Sequence, residues 1–150
     1  MRLLICLCLF LAIAGTVFSQ EAIVIGTGLS DKTYSEGQHQ SSSATVVPAG
    51  GVNARGASLD VTNLTDPKVC VKLALEESID GGVTRKGGGA IEVCGQPGGF
   101  KDKQGKPISS VGFQAVTSEF LPANAQLFST MEIIGAPLKT SAAVQMWEVK

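Results

Sequence analysis

One histidine, His39, is the only imidazole in the 150-residue chain, and that shortage closes most of the usual routes to catalysis. A Ser-His-Asp arrangement would have to recruit His39 from the polar run GQHQSSS, where an exposed, unconstrained ring is the ordinary expectation. Neither a G-x-S-x-G elbow nor the D-[ST]-G signature of aspartic proteases is present. A histidine-based metal site would have a single imidazole. Aromatic residues make up only 5% of the chain, with one tyrosine, Tyr34, and one tryptophan, Trp147. A sugar-binding platform of exposed rings is therefore poorly supplied, and Trp147 is expected in the core. No acidic run could concentrate calcium. The formal net charge of −1 gives no electrostatic reason to expect nucleic acid or an anionic membrane as partner. Internal repeats are also missing, which excludes a solenoid or propeller. No segment carries a long helical period between caps.

The one long apolar run is at the beginning. In MRLLICLCLFLAIAGTVFSQ, Arg2 is followed by apolar residues 3–14, then by small Val17 and Ser19 at positions −3 and −1 of a cleavage site. A bilayer-spanning helix needs about 20 apolar residues, and Gln20 and Glu21 follow too soon. The sequence thus predicts a signal peptide at 1–19 and a secreted chain at 20–150, a length suited to one compact domain. Loss of Arg2 makes the remainder one charge more negative.

Removal of the leader also takes Cys6 and Cys8, leaving Cys70 and Cys94. Two cysteines in an oxidising compartment predict one disulfide. A metal-binding or catalytic thiol pair is the rival reading, but there is no C-x-x-C, and zinc would need two further ligands. VCVKLALEE (69–77) and AIEVC (90–94) both alternate, with Val71, Leu73 and Leu75 on one face of the first and Ile91 and Val93 on one face of the second. Antiparallel pairing of Cys70 with Cys94 places Lys72 opposite Glu92 and gathers the apolar residues on the other face. The segment SIDGGVTRKGGG then reads as a long connection. Closing this loop stabilises the fold by roughly 3 to 4 kcal/mol in the chain-entropy account.

Short apolar or alternating runs recur through the rest of the chain: EAIVIGT (21–27), ATVV (44–47), ASLDVT (57–62), VGFQAVTSEF (111–120), QLFSTMEIIG (126–135) and AAVQMWEV (142–149). The clearest is ASLDVT, with Ala57, Leu59 and Val61 inward. With the disulfide hairpin these make about eight strands, the pattern of an all-β sandwich or barrel. Residues 30–56 are polar and small, and predict a long loop or arm, or else an extended edge folded over the sandwich. FKDKQGKP (100–107) predicts an exposed turn with solvated Lys101, Lys103 and Lys106.

The stretch IVIGTGLS resembles the first strand and turn of flavin- and nicotinamide-binding Rossmann domains, with Gly26 and Gly28 as the first two glycines. The third glycine position holds Asp31, no helix pattern follows, and no repeated βα unit comes after it. The stretch is therefore read as a first β-strand and its turn. VTRKGGGA has Arg85 and Lys86 before three glycines but lacks the Gly-Lys-Ser/Thr ending of a phosphate loop, so a flexible turn is expected. Glu76, Glu77 and Asp80 lie close in sequence, and Glu119 and Glu132 could meet in space; a carboxylate pair of glycosidase type survives only as a third reading. Asn63-Leu64-Thr65 is an N-glycosylation sequon before Asp66-Pro67.

These observations predict a secreted, disulfide-bridged, all-β protein without enzyme activity, cofactor or metal. Its expected role is structural or interactive in an extracellular matrix, coat or secretion, with an extracellular protein, a scaffold or itself as partner. The alternative is a sandwich module that binds a small ligand or carbohydrate.

Overall fold

A computed structural model describes the backbone of residues 21–148 and all side chains in that span except those of residues 21–27, 114–119 and 148. The expected signal peptide lies outside the described residues. Within them are nine strands and no helix: β1 (Glu21–Tyr34), β2 (His39–Ser41), β3 (Thr45–Val46), β4 (Val52–Asp60), β5 (Cys70–Ser78), β6 (Lys86–Cys94), β7 (Ser110–Leu121), β8 (Gln126–Ile134) and β9 (Leu138–Glu148).

Their pairing is that of one long nested hairpin. β5 pairs with β6 at its centre, β4 with β7 around that, β2 and β3 with β8 next, and β1 with β9 outermost, all antiparallel. The hairpin is rolled up by two further pairings, β4 with β9 and β5 with β8. The result is two open sheets, β1-β9-β4-β7 and β2-β8-β5-β6, with β3 beside β8. This is a sandwich with jelly-roll winding and not a closed barrel.

Alternation along the strands builds the core between the sheets. Ala57 and Leu59 of β4, Val71, Leu73 and Leu75 of β5, Leu127, Met131 and Ile133 of β8, and Ala142, Val144 and Met146 of β9 are all buried in one cluster. Each fully buried Leu, Ile or Met contributes about 1.5 to 3 kcal/mol. Trp147 is also buried, but it neighbours Met146 and pairs with Ala54, so it lies on the opposite face of its sheet from the inter-sheet cluster.

The central hairpin has the expected register, with Cys70 opposite Cys94, Lys72 opposite Glu92 and Leu73 opposite Ile91. The two cysteines form a disulfide. The ammonium of Lys72, however, approaches Glu132 of β8 on the other side, at 4.0 Å. Both groups are largely exposed, so the pair contributes less than about 1 kcal/mol.

Three local expectations are corrected. The glycine triplet at 87–89 belongs to strand β6, with Gly88 as the extra residue of a bulge, and is not part of the connection. A Cβ on Gly88 would stand 2.5 Å from a carboxylate oxygen of Glu77, and one on Gly89 (φ +132°) would stand 2.6 Å from the ring of Phe113. Glycine is found in this strand because side chains from both sheets press on its backbone. Gly26 and Gly28 likewise lie inside β1, which continues to Tyr34, so no turn follows them. The ladder to β9 shifts register between Gly26 and Leu29, and a Cβ on Gly28 would collide with the carbonyl oxygen of Ala142.

Residues 30–56 are not a loose arm but follow the extended-edge alternative. Tyr34 is buried and its hydroxyl donates to the carbonyl of Ser30 at 2.7 Å. β2 and β3 run along β8, and between them Ser42 and Ser129 are joined twice: the Ser42 amide donates to the Ser129 carbonyl, and the Ser129 amide to the Ser42 hydroxyl. Polar composition suggested solvation; here the hydroxyl takes the place of a missing ladder acceptor.

Candidate functional site

The winding sorts the loops between two ends of the sandwich, and the ends differ in chemistry. At one end β4 and β6 begin, β5 and β7 finish, and β8 starts beside β3. Its floor is an ion pair between the sheets. Arg55 of β4 and Glu77 of β5 meet through two parallel hydrogen bonds, Nε to Oε1 at 2.5 Å and Nη2 to Oε2 at 3.0 Å, and each side chain is 2% exposed. The guanidinium fork matches the carboxylate and ties the two layers together where the apolar core ends.

Immediately beyond Glu77 the chain makes an ordered turn. The Ser78 hydroxyl donates to Asp80 Oδ1 at 2.7 Å, the Gly82 amide donates to the Ser78 hydroxyl at 2.8 Å, and the Thr84 amide donates to Asp80 Oδ1 at 2.8 Å. The Thr84 amide first, and then the hydroxyls of Thr84 and Ser78, hold the Asp80 carboxyl at about 2, below its ordinary value of 3.8. Because the folded value is the lower one, the stabilisation is complete above the unfolded value and is lost as pH falls through about 2. In an NMR titration the Thr84 amide is expected to shift with a midpoint near 2; a midpoint at 3.8 would show that these hydrogen bonds do not form in solution.

This turn holds Ile79 72% and Val83 86% exposed. Gly82 packs against Gln126, which is flanked in the sheet by Ser78 on one side and Val46 on the other, and Val46 is 50% exposed. Phe120, 59% exposed, lies across Gly51, close behind β3 in the chain. The four most exposed large hydrophobic residues of the described chain thus share one end. An exposed apolar patch rimmed by polar groups marks a contact surface. Its rim is Arg85, whose guanidinium lies 3.6 Å from the centroid of the Phe128 ring and bonds Ser41 Oγ at 3.1 Å and Glu76 Oε2 at 3.3 Å.

The opposite end has a shallow cleft of about 290 Å³ between Val61 and Thr62, which follow β4, and the segments flanking a small hairpin, including Phe100, Ile108 and Ser109. No ionisable side chain lines it.

The residues singled out from the sequence are mostly kept apart. His39 is exposed on β2 opposite Glu132. Glu76 and Glu77, as consecutive strand residues, point to opposite faces and pair with Arg85 and Arg55 respectively, while Asp80 is held in its own turn. The side chain of Glu119 is not described. Cys70, Cys94 and Glu92 place their ligand-type atoms within 4.8 Å, but the sulfurs are bonded to each other and offer no thiolate. Asn63 and Thr65 are exposed, and the Asn63 amide donates to the Lys139 carbonyl at 3.1 Å. Arg55 was missed, and so was the inward face of Glu77. The signal was there: extending the Ala57, Leu59, Val61 alternation back by two reaches Arg55, and extending Val71, Leu73, Leu75 forward by two reaches Glu77.

No family model matches this chain. No curated protein is similar to it in sequence. Among solved structures, a chain described as "Structure of infectious bursal disease virus Gx strain" is similar over 87% of this chain and 32% of that one, with a TM-score of 0.48 and 10% identity. The likeness thus spans about a third of the viral chain, and at this level it carries no inference about function.

Proposed function

We propose that this is a secreted, non-enzymatic structural or interaction protein, a component of an extracellular matrix, coat or secretion, that acts by contact through its apolar end. The observation that carries the reading is the placement of Val46, Ile79, Val83 and Phe120 together on segments held by hydrogen bonds and close packing. A side chain kept exposed by an ordered turn has not lost its chance to be buried; it is held ready for a partner. Burial of each contributes about 1.5 to 3 kcal/mol. The partner is an extracellular protein or scaffold, or a second copy. The leader-like N-terminus and the disulfide support secretion. Asn63 stays a glycosylation candidate on its sequon alone.

The test is fractionation of the native secretion or tissue through buffer, chelator and denaturant washes, with the protein followed by mass spectrometry. Recovery only in the denaturant wash is expected, and substitution of Ile79→Ser with Val83→Ser is expected to move the protein into the first wash without changing its melting temperature. Recovery of the unsubstituted protein as a monomer in the first wash would overturn the matrix reading. The cleft at the other end favours the alternative, a module for a small or carbohydrate ligand.

A further inference from the structure

We infer that the end opposite the apolar patch is a docking site for a sulfated polysaccharide, with a sugar ring in the cleft and its sulfates on Lys101, Lys103 and Lys106. The three lysines occur in six residues of a chain whose net charge is −1. They stand on a small ordered hairpin: Lys101 is bridged to Pro107, the Ile108 amide donates to the Phe100 carbonyl at 3.0 Å, and the Asp102 amide donates to the Lys106 carbonyl at 2.9 Å.

The one acid in this hairpin, Asp102, offsets one of these charges and leaves a net charge of +2. Asp102 Oδ1 accepts from the amides of Gln104 and Lys106, at 2.9 and 2.8 Å, which orders the turn that carries the lysines. All three lysines are exposed, and none is in an ion pair among the described residues. The hairpin therefore presents an excess of positive charge that an external anion would meet.

The cleft decides which kind of anion. Phe100 and Ile108, which flank the lysines in sequence, line it together with Val61, Thr62 and Ser109. An apolar wall with two hydroxyls suits the C–H face and hydroxyls of a pyranose. The Thr62 hydroxyl already donates to Asp60 Oδ1 at 2.6 Å, so it presents its lone pairs as an acceptor. A phosphate backbone or a lipid headgroup layer would use the lysines but leave this concavity unfilled. The inference rests on the secretion reading, because sulfated glycans are extracellular.

The experiment is elution of the purified chain from immobilised heparin over a sodium chloride gradient, beside a carboxymethyl resin and phosphatidylserine vesicles. Retention on heparin at about 0.15 M salt is expected, with release at higher salt, weaker retention on the carboxymethyl resin and no vesicle binding. The triple substitution Lys101→Ala, Lys103→Ala, Lys106→Ala is expected to flow through at about 0.15 M salt with an unchanged melting temperature. Lys72→Ala, on the outer face of the second sheet, is expected to elute like the parent. Substitution of Ser109→Trp, which fills the cleft and keeps the lysines, is expected to weaken heparin retention and leave the resin unchanged. Flow-through of the parent chain, full retention of the triple variant, equal retention on the two columns, or vesicle binding would each overturn the proposal. Secretion is followed separately, by N-terminal sequencing of the protein in culture medium; a chain that binds heparin but stays inside the cell removes the secretion reading and the named occupant with it.

Discussion

Replacing Glu77 by alanine is expected to lower the unfolding free energy by about 3 to 5 kcal/mol, among the largest effects of any single substitution in this protein. Arg55 would then keep its charge in a place where its side chain is 2% exposed, with the carboxylate that faced it gone. An arginine does not escape by deprotonation, so the strain must be relieved by opening the end of the sandwich or admitting water. The reciprocal change, Arg55→Ala, is expected to be similarly damaging. Replacing both residues at once, Arg55→Met with Glu77→Leu, is expected to restore stability to near that of the parent, because burial of two charges offsets most of their attraction. Urea unfolding of the four proteins at neutral pH measures these stabilities. If the single substitutions fall within about 0.5 kcal/mol of the parent, the pair is hydrated in solution and does not join the sheets. Glu77→Ala is also expected to raise proteolytic cutting at 79–85, since the floor under that turn is the side chain removed.

Loss of the disulfide is the second large effect. Cys70→Ser with Cys94→Ser is expected to destabilise the fold by about 2 to 5 kcal/mol, with a fall of several degrees in melting temperature for each kcal/mol and a lower secreted yield. The bond closes a loop of sequence separation 24 at the centre of the nested hairpin. Every outer pair of strands is arranged around this one, so freeing it enlarges the unfolded ensemble and removes the staple from the open end of the central hairpin. The sulfurs lie on the outer face of the second sheet and Cys94 is exposed, so a mild reductant should produce the same change as the substitutions. Non-reducing peptide mapping provides the check. Recovery of both cysteines as free thiols from the secreted protein would contradict the linkage, and the double substitution would then cost little.

Much of the architecture can be read without coordinates because its signals are local. Alternation in ASLDVT and VCVKLALEE reports which side chains face inward, and the two cysteines with Lys72 and Glu92 admit one sensible register for the central hairpin. The strands followed, and the register followed with them. Local signals failed where a residue answers to a neighbour distant in sequence. Glycines 87–89 read as a turn by propensity, yet they form a strand because Glu77 and Phe113 need their backbone bare. The polar run at 30–56 read as a loop or arm, with an extended edge as the alternative, and 39–46 does edge β8, where the Ser42 hydroxyl serves as a ladder acceptor.

By itself, then, the sequence determined that the chain forms antiparallel strands, which faces they bury, and that the two remaining cysteines meet. Period-2 patterning and side-chain chemistry act within a strand or a hairpin, and both are written in consecutive residues. Only the tertiary structure decided which strand ends share a side of the sandwich, and so gathered Val46, Ile79, Val83 and Phe120 at one end and set the lysine hairpin beside a cleft at the other. It also turned Arg55 and Glu77, each a fault in its own apolar pattern, into partners, since a charge facing inward reads as an error until the opposing sheet brings its counter-ion.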